Sequence, residues 1–134
     1  MALFVDTSVW SLAFRRDGDQ DVPQVKRLRR ALEAEEILLA TGVVLQELLQ
    51  GFNGPKARKT LLAHFAAIPM VWPSLDDHVA AADLRNTCRR NGVQCATVDA
   101  LIAQLCIRTG VEILTTDLDF AYVAKHSVLK VWAA

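Results

Sequence analysis

Short apolar runs alternate with longer amphipathic segments along the chain. The runs are nearly continuous over 2–5, 37–40, 70–72, 113–115 and 128–132, a pattern that predicts short buried strands. Between them, apolar residues recur at helical spacing and predict helices over 8–15, 22–36, 42–52, 55–67, 75–91, 97–109 and 118–125. Strands that alternate with helices indicate an α/β fold, a three-layer α/β/α sandwich around a central parallel sheet of four to five strands.

Composition narrows the class of protein. The chain has 134 residues, 52% of them hydrophobic, which suits one domain over 1–134. Lys plus Arg and Asp plus Glu are both 15, and this balance argues against non-specific coating of nucleic acid and favours self-association. We find no signal peptide and no apolar run long enough to span a membrane, and the three cysteines form no CxxC pair. We therefore expect a cytoplasmic protein that does not enter a membrane.

Five acidic residues follow predicted strands or begin predicted helices. Asp6 comes directly after the first strand, and Asp117 follows the fourth strand, with Asp119 close behind. Glu47 and Asp99 lie early in their helices. Helices that follow parallel strands begin at the carboxyl edge of the sheet, where ligands of such folds bind. We therefore expect the carboxylates to meet in one cleft, although each also has a local alternative as a cap, turn or surface residue.

Several anions in one cleft require a counter-charge. Oxygen ligands without His or Cys favour Mg²⁺, with Mn²⁺ as a substitute, over Zn²⁺. The predicted metal ligands are Asp6, Asp99, Asp117 and Asp119. Such a site can activate water for attack at phosphorus. Four hydroxyl residues beside the acids are predicted to hydrogen-bond to them: Thr7, Ser8, Thr115 and Thr116.

The motifs that carry these acids resemble those of a known family. V-D-T-S-V-W, V-V-L-Q-E-L-L, T-V-D-A-L-I-A and L-T-T-D-L-D-F occur in the order of the acidic motifs of PIN-domain ribonucleases, and the opening motif is especially similar to that of VapC toxins. The resemblance implies a PIN-like fold and a Mg²⁺- or Mn²⁺-dependent endoribonuclease that forms a homodimer and is inhibited by a cognate antitoxin. By motif, the implied catalytic acids are Asp6, Glu47, Asp99 and Asp117. Gly42 departs from the family pattern, which more usually has proline or a polar residue there.

RNA binding requires local positive charge in a chain of zero net charge. Four arginines are predicted to contact phosphates near the acids: Arg15, Arg16, Arg85 and Arg89. The other basic residues of the second helix, including Arg27, are predicted to be solvated. Trp10 is predicted in the core or in an interface, and Trp72 in the core.

Two other functions remain open from the sequence. One is a catalytically silent PIN-like module that binds RNA or a partner protein. The other is a phosphatase that uses Asp117 and Asp119 as a D-x-D pair. Phosphatases of this kind usually carry the pair after the first strand, whereas here it follows the fourth predicted strand.

Overall fold

A parallel sheet with β1 in the middle organises the protein. The computed structural model describes residues 2–15 and 21–134, and these contain three strands in the order β2-β1-β3: β1 (Ala2–Val5), β2 (Ile37–Leu39) and β3 (Glu112–Leu114). Both neighbours run parallel to β1. The side chains of Leu3, Phe4 and Val5 have no exposed surface, as expected for a central strand that is covered on both faces. The predicted α/β class with a parallel sheet is thus confirmed.

The predicted number of strands is wrong, because the described residues form three strands instead of four to five. The segments 70–72 and 128–132 contribute isolated bridges instead: Ala40 with Met70 and Ile113 with Val131. Pro69 and Pro73 flank the first segment, and proline lacks the N–H that a longer ladder requires. The second segment includes Val128, which is 75% exposed, so it lacks the burial of a central strand.

Seven helices lie within the described residues, close to the predicted positions: α1 (Thr7–Phe14), α2 (Pro23–Glu33), α3 (Gly42–Gly51), α4 (Pro55–Phe65), α5 (Leu75–Arg90), α6 (Thr97–Thr109) and α7 (Asp119–Ala124). Pro23 and Pro55 each occupy a first turn, where their missing N–H costs no hydrogen bond. Gly110 ends α6 with a φ of 71°, a left-handed conformation that favours glycine. None of these helices is long and apolar enough to cross a membrane.

An aromatic cluster fixes α1 against α4. Trp10 is 1% exposed, and its ring lies 5.2 Å from the rings of both His64 and Phe65. Burial lowers the pKa of His64, which favours a neutral imidazole in this apolar setting. Trp10 is therefore a core residue in this chain. The prediction for Trp72 is wrong, since it is 68% exposed and its ring edge covers Gly42 at the start of α3.

Arg27 is buried, which contradicts its prediction as a solvated residue. It is 8% exposed, and its two terminal nitrogens donate to the two carboxylate oxygens of Glu36 at 2.7 and 2.8 Å. This bidentate ion pair supplies hydrogen-bond acceptors to the buried guanidinium. It also joins α2 to the segment that leads into β2. The periodicity of α2 did not reveal it because the partner lies beyond the end of the helix.

A second ion pair holds α5 and α6 together. Asp77 is 2% exposed and forms a capping box with Ser74 at the start of α5. Its carboxylate also accepts hydrogen bonds from Nε of Arg108, at 2.9 and 3.0 Å, and from Gln104 at 3.3 Å. The hydrogen bond from Arg108 is the main reason that the pKa of Asp77 lies well below its usual range. The pair links the first turn of α5 to the last turns of α6.

We expect Asp77→Asn to lower the free energy of unfolding at pH 7 by about 2 kcal/mol, because it removes the charge from the hydrogen bonds with Arg108 and replaces one acceptor oxygen by an NH₂ group. A carboxylate with a lowered folded-state pKa stabilises the protein above its unfolded pKa. The difference between variant and wild type should therefore shrink as the pH falls below about 4. Urea unfolding at pH 7 and pH 3.5 measures both effects. Asp83→Asn, at an exposed position of α5, is the matched control; equal losses in the two variants would contradict the assignment.

Candidate metal centre

Asp6 joins the ends of two strands at the carboxyl edge of the sheet. Its backbone N–H donates to the carbonyl of Leu114 at 3.0 Å, so the end of β1 is tied to the end of β3. Its side chain is largely buried, and Oδ2 accepts hydrogen bonds from Ser8 and Thr115, both at 2.8 Å. Asp6 occupies the N-cap position of α1, but its side chain makes no capping hydrogen bond to that helix.

The turn after β3 is built from hydroxyl and carboxylate groups. The backbone N–H of Asp117 donates to Oγ1 of Thr115 at 3.0 Å, and that of Thr116 donates to Oγ of Ser8 at 3.1 Å. Oδ1 of Asp117 then accepts from the backbone N–H of Asp119 at 2.9 Å. These contacts fix the direction in which the turn presents its two carboxylates. Thr116 takes part through its backbone only.

Three carboxylates converge in this turn and the first turn of α6. Asp99, Asp117 and Asp119 each offer one oxygen, and these oxygens all lie within 4.8 Å of one another. Asp99 is half-buried. Burial and, in decreasing order, the charges of Asp117, Asp6, Asp119 and Glu47 raise the pKa of Asp99 to about 6. The other four predicted acids therefore all lie close enough to Asp99 to affect its pKa.

Glu47 lies at the border of this region and not inside the group of three. Its side chain is exposed on α3, although the apolar neighbours in sequence suggested a more buried position. Oε1 of Glu47 accepts a hydrogen bond from Oγ1 of Thr7 at 3.0 Å. That bond ties α3 to the first turn of α1, next to Asp6. Of the predicted hydroxyl partners, Ser8 and Thr115 thus support Asp6, and Thr7 supports Glu47.

The predicted RNA-binding arginines occupy different places. Arg85 and Arg89, on α5, line a groove of about 620 Å³ together with Asp119, so they lie beside the carboxylates. Arg15 is exposed just after the last residue of α1. That helix has eight residues and so extends about 12 Å from the turn that holds Asp6. Arg16 lies outside the described residues. The groove itself was not predicted, because four of its lining residues, 93–96, belong to a loop with no motif.

The donor set of this region fits a hard divalent cation. The group of three contains carboxylates alone, the ligands that Mg²⁺ and Mn²⁺ prefer. Burial first, and then repulsion from neighbouring carboxylates, raises the pKa of Asp99, and a bound cation would relieve that repulsion. Asp99, Asp117 and Asp119 are the residues that could hold such an ion, and the charge of Asp6 acts on the same region. A cation held there would offset the charge of a phosphate and could make a bound water more acidic.

The fold and the site define an α/β protein whose carboxylates gather at the carboxyl edge of a parallel sheet. A family model for the PIN domain matches residues 3–126, and the chain belongs to the PIN-domain family. Ribonuclease VapC11 of Mycobacterium tuberculosis is 32% identical over 132 residues, which cover 96% of each chain. The family resemblance carried by the acidic motifs is thereby confirmed.

Solved structures share this fold at low sequence identity. The structure of FitAcB from Neisseria gonorrhoeae matches with a TM-score of 0.76 and 17% identity, over 98% of this chain and 96% of that one. The structure of VapBC2 from Rickettsia felis bound to a promoter DNA fragment matches with a TM-score of 0.73 and 16% identity, over 99% and 100% of the two chains. These likenesses extend the family assignment to the three-dimensional arrangement of the chain.

We expect Mg²⁺ or Mn²⁺ to raise the unfolding temperature of the wild type and to have little effect on Asp99→Asn. An ion at tenfold its Kd stabilises the folded state by about 1.4 kcal/mol. This corresponds to roughly 3–6 °C for a chain of this size. With chelator present, Asp99→Asn should be at least as stable as the wild type, because one of several repelling charges is gone.

Thermal melts with chelator and with millimolar Mg²⁺ or Mn²⁺ provide this measurement. Asp83→Asn again serves as the control, since its carboxylate is exposed on α5, outside the group of three. A metal-dependent shift of the same size in Asp99→Asn as in the wild type would rule out the group as the binding site.

Proposed function

We propose that the protein is a Mg²⁺- or Mn²⁺-dependent endoribonuclease that acts in the cytoplasm as the toxin of a toxin–antitoxin pair. The observation that carries the proposal is the meeting of Asp99, Asp117 and Asp119 within 4.8 Å, with Asp6 and Glu47 close enough to raise the pKa of Asp99. Such a concentration of negative charge repels RNA unless a cation offsets it. The 32% identity to Ribonuclease VapC11 over 96% of the chain supports RNA as the substrate class.

In this proposal Asp6, Asp99 and Asp117 hold the cation, and Asp119 supplements them. When bound, Mg²⁺ or Mn²⁺ supplies charge that stabilises a phosphodiester transition state and makes a nearby water more acidic. Ser8 and Thr115 both donate to Oδ2 of Asp6, which fixes the orientation of the carboxylate.

Hydrolysis forms a bond between a water oxygen and phosphorus, breaks a P–O ester bond, and transfers a proton from the water. We propose that Glu47 accepts that proton. Its Oε1 already accepts from Thr7, which orients the carboxylate, and Oε2 makes no hydrogen bond to any residue that the structure describes. An exposed carboxylate that is oriented by its neighbour and borders the metal site suits a general base.

Arg85 and Arg89 are the side chains that we propose to bind the RNA strand next to the acids. Both line the groove that contains Asp119, and an arginine there can contact a phosphate or stack on a base of the strand. Arg15 and Arg16 remain predicted contacts for more distant phosphates.

A partner protein and a second copy of the chain complete the proposal. The solved structures that share the fold include VapBC complexes, which supports a cognate antitoxin as partner. Leu75 and Val79 lie one turn apart on α5 and are 79% and 55% exposed, and Trp72, just before α5 in sequence, is 68% exposed. We expect the homodimer to form through these exposed apolar side chains, because large exposed apolar surface often marks an interface.

The two alternatives make different demands on the same residues. A silent binding module gains nothing from carboxylates that repel phosphate, so tight RNA binding without turnover at millimolar Mn²⁺ would favour it. A D-x-D phosphatase needs Asp117 as a free nucleophile, whereas its Oδ1 caps the backbone N–H of Asp119. Trapping of an aspartyl-phosphate during hydrolysis of a small phosphomonoester would revive that reading.

We expect Asp6→Asn and Asp99→Asn each to lower the rate of RNA cleavage at least about 100-fold, because each removes charge on which the metal site depends. Excess chelator should have the same effect on the wild type. Cleavage of total RNA by purified protein in the presence of Mn²⁺ provides the assay, together with growth arrest on induced expression. Asp83→Asn should behave like the wild type, and full activity of either site variant would refute the proposal.

We expect Thr115→Val to reduce cleavage about 10- to 100-fold and Thr115→Ser to preserve most of it. Valine keeps the shape of this buried residue but removes the hydroxyl that donates to Asp6 at 2.8 Å and accepts from the backbone of Asp117. Titration of Mn²⁺ against activity separates the causes, since a weakened site recovers at higher metal concentration. Equal loss in both variants without such recovery would show that Thr115 acts through packing.

A further inference from the structure

A groove beside the three carboxylates is larger and chemically more mixed than a metal site requires. It has a volume of about 620 Å³ and lies between the end of α5 and the loop that leads into α6. The lining residues on which its chemistry depends are Arg85, Arg89, Val93, Gln94, Ala96 and Asp119. Asp119 belongs to both the groove and the group of three, so whatever occupies the groove lies next to the reacting phosphate of the proposed function.

The polar side chains of the groove have hydrogen-bond donors and acceptors that no described residue uses. Nε of Arg85 donates to the carbonyl of Cys95 at 2.8 Å, which anchors the plane of the guanidinium. Its terminal nitrogens have no acceptor among the residues that the structure describes. Arg89 and Gln94 are exposed and likewise make no side-chain hydrogen bond within 2–15 and 21–134. Three polar side chains that line one groove and keep donors or acceptors unused by the described residues indicate a polar ligand.

A base fits this mixture better than a phosphate does. The carboxylate of Asp119 repels a phosphate, whereas it can accept a hydrogen bond from the amino group of a base. Val93 and Ala96 provide apolar wall, which suits a flat ring and not a strongly hydrated anion. An anchored guanidinium such as that of Arg85 is a surface on which bases of single-stranded RNA stack.

We propose that this groove holds one unpaired base next to the bond that is cut, and that Gln94 reads the edge of that base. The proposal rests on the proposed ribonuclease function and adds a determinant of sequence preference to it. A glutamine amide offers a donor and an acceptor side by side, and its geometric match is the N6 and N7 edge of adenine. Arg89, at the solvent side of the groove, contacts the neighbouring phosphate.

Cleavage of a randomised single-stranded RNA by purified wild type with Mn²⁺, followed by sequencing of the new 5′ ends, tests this assignment. The wild type should favour adenine at one fixed position beside the cut. Gln94→Ala should reduce that preference at least about fivefold. Gln94→Glu should move the preference towards cytosine, whose N4 amino group donates to a carboxylate. Arg89→Ala should slow cleavage at all sites alike and reduce the salt dependence of RNA binding.

Gln50→Ala and Arg58→Ala, both at exposed positions outside the groove, are the matched controls and should keep the wild-type preference. Two outcomes would overturn the assignment of Gln94 while the ribonuclease proposal stands. In one, the wild type cleaves RNA without a preference for adenine; in the other, both Gln94 variants keep the wild-type preference. If the wild type leaves RNA intact with Mn²⁺, the ribonuclease proposal fails and the inference fails with it.

Discussion

The structure depends on the way Asp6 holds two strands together. Its backbone extends the pairing of β1 with β3 by one residue, and its side chain collects the hydroxyls of Ser8 and Thr115. Without these contacts the turn after β3 would have no fixed direction, since Thr115 and Ser8 are also the acceptors for the backbone of that turn. A short buried network thus sets both the edge of the sheet and the orientation of the acids, and each member is satisfied by the others.

The carboxylates reach their common region by different structural routes. Asp117 and Asp119 come from a turn, Asp99 from the first turn of a helix, and Glu47 from a helix that is held by Thr7. The supporting hydrogen bonds come from backbone amides and from hydroxyls that belong to the network around Asp6. The raised pKa of Asp99 results first from its burial and then from the charges of the neighbouring carboxylates.

Much of this could be predicted from the sequence because the fold obeys simple rules. Continuous apolar runs located β1, β2 and β3, and the rule that ligands bind at the carboxyl edge identified the acids in advance. The rule did not reveal which of them share close contact, nor that Glu47 is exposed. The apolar runs also predicted too many strands, because at one border of the sheet Pro69 and Pro73 limit pairing. Arg27, with its partner beyond the helix, and the groove, with loop walls, depend on tertiary contacts that periodicity does not encode.

The ion pair between Asp77 and Arg108 has a consequence for how this protein can diversify. It fastens α5 to α6 at the end opposite to the loop over 91–96, so the hairpin does not rely on that loop to stay closed. Changes in the length or composition of that loop therefore leave the contact between the two helices in place. The groove, to which the loop contributes Val93, Gln94 and Ala96, can thus vary without loss of the packing of α5 against α6.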